Sequence, residues 1–192
     1  MNIVVLAGSN RKGATSTRLA AYAANLMQRK GHHVQIIDLF KHPLPFYSAD
    51  IEGMDTNVQV LQSAFAGTDA IVLATPEYHG SISGVLKNAL DYLGQSYFSG
   101  KAVLSVCSAG GAVGVSSLQH LQAIIRNLHG INCPEWISIG GSQRMQFEQE
   151  YEDYEGSLEM DDRVYKVTET FLHLTQQLKR GEERLLGAAK GD

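Results

Sequence analysis

Three short stretches rich in glycine and hydroxyl residues hold the side chains whose types and spacing can do chemistry: GSNRKGATST (8–17), PEYHGSIS (76–83) and SAGGAVG (108–114). The first offers the hydroxyls of Ser9, Thr15, Ser16 and Thr17, and Gly8 and Gly13 let backbone come close to a ligand. Arg11 adds a charge-assisted, bidentate donor. A helix opening here would turn free N–H groups and its positive dipole end toward an anion. The set fits one phosphate monoester. The plain alternative is a solvated turn with a Ser/Thr helix cap. The stretch also has the spacing GxxxxGK[ST], but Ala14 stands where the lysine of a triphosphate-binding loop belongs. No G-x-G-x-x-G follows the first apolar run, so a dinucleotide site there has no support.

The other two stretches suit a flat heteroaromatic ring with polar edges. Pro76, Glu77, Tyr78, His79 and Gly80 offer backbone donors and acceptors around an aromatic wall, while Ser108, Gly110 and Gly111 offer bare backbone on the other side. Each feature has a bland reading. Gly110-Gly111 fits any tight turn, Glu77 fits a cap on the following turn, and His79 fits a surface position. Catalytic constellations are missing: no G-x-S-x-G elbow, no HExxH, no Cys or His pair at metal-ligand spacing. A cofactor-shaped site without an acid–base set suits a cofactor that carries the chemistry itself, with no catalytic side chain and no metal.

The elements that must position these stretches alternate along the chain. Apolar runs at 2–7, 33–38, 69–75, 101–107 and 131–139 read as strands. Amphipathic stretches at 15–30, 55–66, 83–95, 114–129 and 161–180 read as helices, the last ended by Gly181. Strands that are continuously apolar are buried on both faces. Strand–helix alternation gives parallel βαβ units with right-handed crossovers. The expectation is a flavodoxin-like three-layer α/β sandwich with a five-stranded parallel sheet of order 2-1-3-4-5. Its ligand site lies beyond the carboxyl ends of strands 1, 3 and 4. The three stretches above are the loops that follow those strands. Residues 1–181 read as one domain, the acidic segment 148–162 as a solvated loop or, in the sharper alternative, a flap over the site, and 182–192 as a frayed tail.

The chain has 192 residues and a net charge of −4, which disfavours a nucleic-acid or anionic-membrane binder. No run approaches the roughly 18 apolar residues of a membrane span. The start carries no basic segment ahead of its apolar run, and Cys107 and Cys133 sit in strand-like runs as reduced core residues. Together these lead to the expectation of a cytoplasmic protein. The stripe Val85, Leu86, Ala89, Leu90, Tyr92 and Leu93, with Tyr97 and Phe98 after it, is wider than one sheet needs and is expected to take part in self-association.

These stretches resemble the motifs of the NADPH-dependent FMN reductase family, which includes quinone-, azo- and chromate-reducing members. The family's phosphate loop, near G-S-x-R-x-x-S, is matched by Gly8, Ser9 and Arg11, with Ala14 in place of the serine and Thr15, Ser16, Thr17 and Leu19 following. The pattern P-E-Y-N-G-S-x-x-G-x-L-K-N-A-x-D is matched by PEYHGSISGVLKNALD (76–91), with His79 in place of asparagine. The pattern S-A-G-G-x-x-G is met by Ser108, Ala109, Gly110, Gly111 and Gly114. The resemblance covers about residues 1–140. It implies bound FMN, NADPH or NADH as electron donor, a small-molecule acceptor (quinone, azo compound, free flavin or metal oxyanion), and a homodimer or homotetramer. Ping-pong turnover is expected if donor and acceptor take turns on one open face of the ring. The alternative on the same fold is an electron carrier that serves protein partners.

Overall fold

Strands that are apolar on both sides need cover on both faces, and the chain supplies it. The computed structural model describes residues 1–50, 55–148 and 158–188. Four strands, β1 (Asn2–Ala7), β2 (His33–Asp38), β3 (Ala70–Pro76) and β4 (Ala102–Ser108), pair in parallel. The order is β2-β1-β3-β4-β5, as expected. In register Ala7 lies beside Ala74, and Pro76 beside Ser108. The carboxyl ends of β1, β3 and β4 therefore open on one edge, and the loops that follow them share it.

Alternate residues divide between two cores. Ile3, Val5, Val72 and Leu104 pack with α1 (Thr15–Arg29) and α7 (Leu158–Ala188). Val4, Leu6, Ile71 and Val103 pack with α2 (Thr56–Ala66), α3 (Gly84–Asp91) and α5 (Val115–Asn127). Asp55 caps α2 through Asn57 N–H at 2.8 Å, and Ser83 caps α3 through Leu86 N–H at 3.1 Å.

Four expectations are corrected. The fifth strand is two: β5 (Ile131–Asn132) and β6 (Ile137–Ile139) both pair with β4, so the sheet has six strands. Pro134 lies between them and has no N–H to continue the ladder. The helix expected over 83–95 is α3 followed by the one-turn α4 (Gln95–Phe98), with Gly94 between. Its apolar stripe is core: Leu86, Ala89, Leu90, Leu93 and Phe98 are buried, while Val85, Tyr92 and Tyr97 are partly buried. Finally, α7 exceeds its expected limits. It takes in 158–162, part of the acidic stretch expected to be a loop, and runs through Gly181 to Ala188. Residues 149–157 of that stretch and 189–192 of the expected tail lie outside the described residues. Tyr22 Oη donates to Asp161 at 2.6 Å and Lys179 pairs with Asp69 at 2.8 Å, tying α7 to its neighbour α1 and to the start of β3.

Candidate functional site

The site begins where β1 runs out. Gly8 N–H donates to Ala74 O at 2.8 Å, and Ser83 Oγ donates to Gly8 O at 2.5 Å. A Cβ at Gly8 would lie 2.6 Å from Leu86 Cβ and 2.8 Å from Ala74 O, so only glycine fits between β3 and α3. Ser9 is buried and its Oγ accepts from Arg11 N–H at 3.2 Å. The Arg11 side chain is exposed and Thr15 is half-buried. Helix α1 then starts after Ala14 with no side-chain cap. The leading N–H groups of any helix lack partners within it. Here two more polar groups join them, since Ser16 Oγ and Thr17 Oγ1 are buried and have no hydrogen-bond partner. Buried hydroxyls are nearly always bonded in folded proteins. Uncapped amides beside two orphan hydroxyls form a cradle for a group with several acceptor oxygens, and a phosphate fits it.

The loop after β3 is a tight hairpin. Tyr78 N–H donates to Ser81 O at 3.0 Å, and Ser81 N–H returns a bond to Tyr78 O at 3.1 Å. His79 (φ 52°) and Gly80 (φ 74°) both take the left-handed region, which is the type I′ pattern. Asparagine favours that first position, and histidine is also enriched there. Tyr78 and His79 are exposed, Pro76 is buried, and Ser81 Oγ lies 3.0 Å from His120 Nδ1. Glu77 N–H donates to Ser108 O at 2.9 Å and extends the β3–β4 ladder. The Glu77 carboxylate accepts from Ser117 Oγ at 3.0 Å and Ser117 N–H at 3.5 Å. That places a negative charge at the first turn of α5, where the helix dipole favours it. Glu77 is thus a capping group for α5, not for the turn that follows it in sequence.

The loop after β4 is fixed from below and open above. Ser108 and Ala109 are buried, and Ala109 N–H donates to Ile139 O at 2.9 Å. Gly114 is required, because a Cβ there would lie 2.4 Å from Cys107 Sγ. Gly111 is not required by the protein: it is exposed and its Cβ would meet nothing within 4 Å. Bare backbone with open space above it suits the close approach of a flat ligand. Under this loop, burial pushes the Cys107 thiol up to about 12, helped by the nearby Glu77 charge and opposed by the Ser117 hydrogen bond. Such a thiol is not a nucleophile at neutral pH.

The structure therefore gathers all three stretches on one edge of the sheet. It adds three residues the sequence reading missed. Ser117 and His120 come from α5, and Arg144 comes from the one-turn α6 (Gln143–Gln146) after β6. The usable signal for Arg144 was Gly140-Gly141 directly after the last apolar run. A cavity of about 580 Å³ beside Trp136, Arg163 and Lys166 lies at the sheet margin and shares no residue with the three loops. Among the described residues no cluster of His, Cys, Asp or Glu could hold a metal ion, and no helix is long and apolar enough to cross a membrane.

Comparison with known proteins bears on the family and the fold. The family model for NADPH-dependent FMN reductase matches residues 1–144. An FMN-dependent NADPH-azoreductase of Staphylococcus haemolyticus (strain JCSC1435) is 32% identical over 172 residues, covering 87% of this chain and 88% of that protein. Two solved structures share the fold. An NADH:FMN oxidoreductase in its apo form has TM-score 0.72 at 20% identity, over 92% of this chain and 89% of that one. FerB, an NAD(P)H:(acceptor) oxidoreductase from Paracoccus denitrificans, has TM-score 0.73 at 19% identity, over 92% and 97%.

Proposed function

The chain belongs to the NADPH-dependent FMN reductase family and is an oxidoreductase that works with FMN and NAD(P)H; from that premise we propose where the flavin sits and what it reduces. The phosphate of FMN rests on Ser9, Arg11, Thr15, Ser16 and Thr17. The ring lies between Pro76–Gly80 and Ser108, Gly110 and Gly111. The acceptor is a small molecule of the azo or quinone class, in line with the azoreductase relative. FMN, when bound, accepts and returns the electron pair itself. The protein's part is to hold and orient. The hairpin at 78–81 presents backbone groups at a fixed height, Glu77 locks its base to α5, and Tyr78 forms a wall. His79 stands at the rim.

One observation carries this reading: the orphan hydroxyls of Ser16 and Thr17 at the uncapped start of α1. The deciding measurement is a pair of titrations with FMN and riboflavin. FMN should bind more tightly. Equal affinity for the two would remove the phosphate cradle from the account.

The proposal extends to assembly and location. The described chain leaves Phe40, Phe46 and Tyr47 exposed in the loop after β2. That loop rests on α3, with Asn88 Oδ1 accepting from Tyr47 N–H at 2.8 Å and Tyr92 stacked edge-on against Tyr47. We infer a homodimer that covers this aromatic patch, rather than the α3 stripe expected from sequence. A cytoplasmic location accords with the two buried free cysteines and with a nicotinamide donor.

A further inference from the structure

We propose that Arg144 is a further residue of the flavin site, bringing a fixed positive charge to the ring so that the reduced ring is held more tightly than the oxidised one. The inference rests on the reading above that FMN lies against the 108–114 loop. Its own support is the turn after β6. Gly141 N–H donates to Gly111 O at 2.9 Å, and a Cβ at Gly140 would lie 2.1 Å from that same oxygen and 2.3 Å from Ala112 O. The turn is thereby pinned to the glycine loop, and α6 carries Arg144 back across it. Arg144 Nη1 lies 3.8 Å from where a Cβ of Gly110 would stand.

The guanidinium has unused capacity. Its Nε is buried and has no hydrogen-bond partner, and its ion pair with Glu148 is long at 3.6 Å. A guanidinium has five donors and does not lose its proton in proteins. A buried donor left unpaired is costly, so the group is set for an acceptor that the protein does not supply. The space beside Gly110 and Gly111 is where the polar edge of the ring would lie. A reduced flavin carries more negative charge on that edge than an oxidised one, and a nearby fixed charge tunes this balance. Glu148 partly offsets the Arg144 charge.

The test is the midpoint potential of protein-bound FMN, by equilibration with a reference dye, alongside the affinity for oxidised FMN and the thermal midpoint. Arg144→Gln should weaken binding of reduced relative to oxidised FMN about tenfold. That corresponds to a potential about 30 mV more negative for a two-electron couple. Arg144→Lys keeps the charge and should recover at least half of the shift. Glu148→Gln removes the offsetting charge from an exposed position and should move the potential the other way, which keeps the idea testable if Arg144→Gln does not fold. An unchanged potential in Arg144→Gln with FMN still bound overturns the proposal. So do equal shifts in the Gln and Lys variants, or no rise in Glu148→Gln. Failure of the FMN reading itself looks different: substitutions at Ser16 and Thr17 would then leave FMN binding untouched.

Discussion

The hydroxyls of Ser16 and Thr17 are unpartnered in the protein alone, and this gives them a two-sided signature. Removing a buried hydroxyl usually destabilises a protein because its partner is left unpaired. Here there is no such partner. Ser16→Ala and Thr17→Val should therefore leave the thermal midpoint of the flavin-free protein unchanged or higher. Each should weaken FMN by roughly 2- to 12-fold, the equivalent of about 0.5–1.5 kcal/mol for one hydrogen bond, with riboflavin unaffected. Calorimetric titration of the two ligands reads both effects, and a lowered midpoint would show that the hydroxyls serve the fold. Cys107 makes a second residue-scale case. Its thiol is raised from 9.0 to about 12 by burial, then by Glu77, against the Ser117 bond. The folded state keeps a proton that the unfolded chain releases above pH 9. Stability is fully present below that pH and is lost as pH rises toward 12. Urea midpoints should fall more between pH 8 and pH 10 in the native protein than in Cys107→Ser; identical pH dependence would assign the loss elsewhere. At this scale the sequence displayed the phosphate-loop hydroxyls and the hairpin residues, because those act through neighbours close in the chain. It hid the partner of Glu77, which lies 40 residues away on α5.

At the scale of elements, legibility followed the strength of local signals. The runs at 2–7, 69–75 and 101–107 became strands within a residue or so, because double-sided burial demands continuous apolar sequence, whereas the run at 33–38 became the edge strand β2, which is largely exposed rather than buried on both faces. The run at 131–139 misled, since its apolar content masked the break that Pro134 imposes on an edge strand. Gly181 misled in the opposite sense. Glycine is the usual helix stop, yet α7 passes through it to Ala188. Its φ lies outside the left-handed region, so no terminating turn forms. A mid-helix glycine costs about 1 kcal/mol relative to alanine, and the flanking Lys179, Arg180, Glu182 and Glu183 are good helix formers that offset it. A Cβ at 181 would meet nothing within 4 Å. Gly181→Ala should therefore stabilise the protein by up to about 1 kcal/mol, or about 2–4 °C in thermal midpoint for a chain of this size. A fall in midpoint on scanning calorimetry would mean that the helix ends at Gly181 in solution.

Among the described residues, the proposed site lies along one edge of the sheet, and the loop after β2 carries an exposed aromatic patch. Phe46 is 89% exposed, an unusual position for a phenylalanine unless another surface covers it. Light scattering at micromolar concentration should give the mass of a dimer, and Phe46→Asp should shift it toward the monomer. A monomeric native protein would refute the patch as an interface. The same architecture constrains the order of reactants. Buried Ser9, Pro76, Ser83 and Ser108 close the site from below, while Tyr78, His79, Gly110 and Gly111 are exposed above it. A ring seated on these loops turns one face to protein and one to solvent. Nicotinamide and a flat acceptor both need the solvent face, and two planar molecules cannot stack there together. With FMN placed as proposed they would take turns, and the flavin, when bound, would supply the storage for the electron pair. Initial rates at several fixed acceptor concentrations should then give parallel double-reciprocal lines. His79→Ala, altering only the rim, should change the KM for acceptor more than the retention of FMN. Intersecting lines would require donor and acceptor to be bound at once, which a single open face forbids, and would reject this geometry while leaving the phosphate cradle in place.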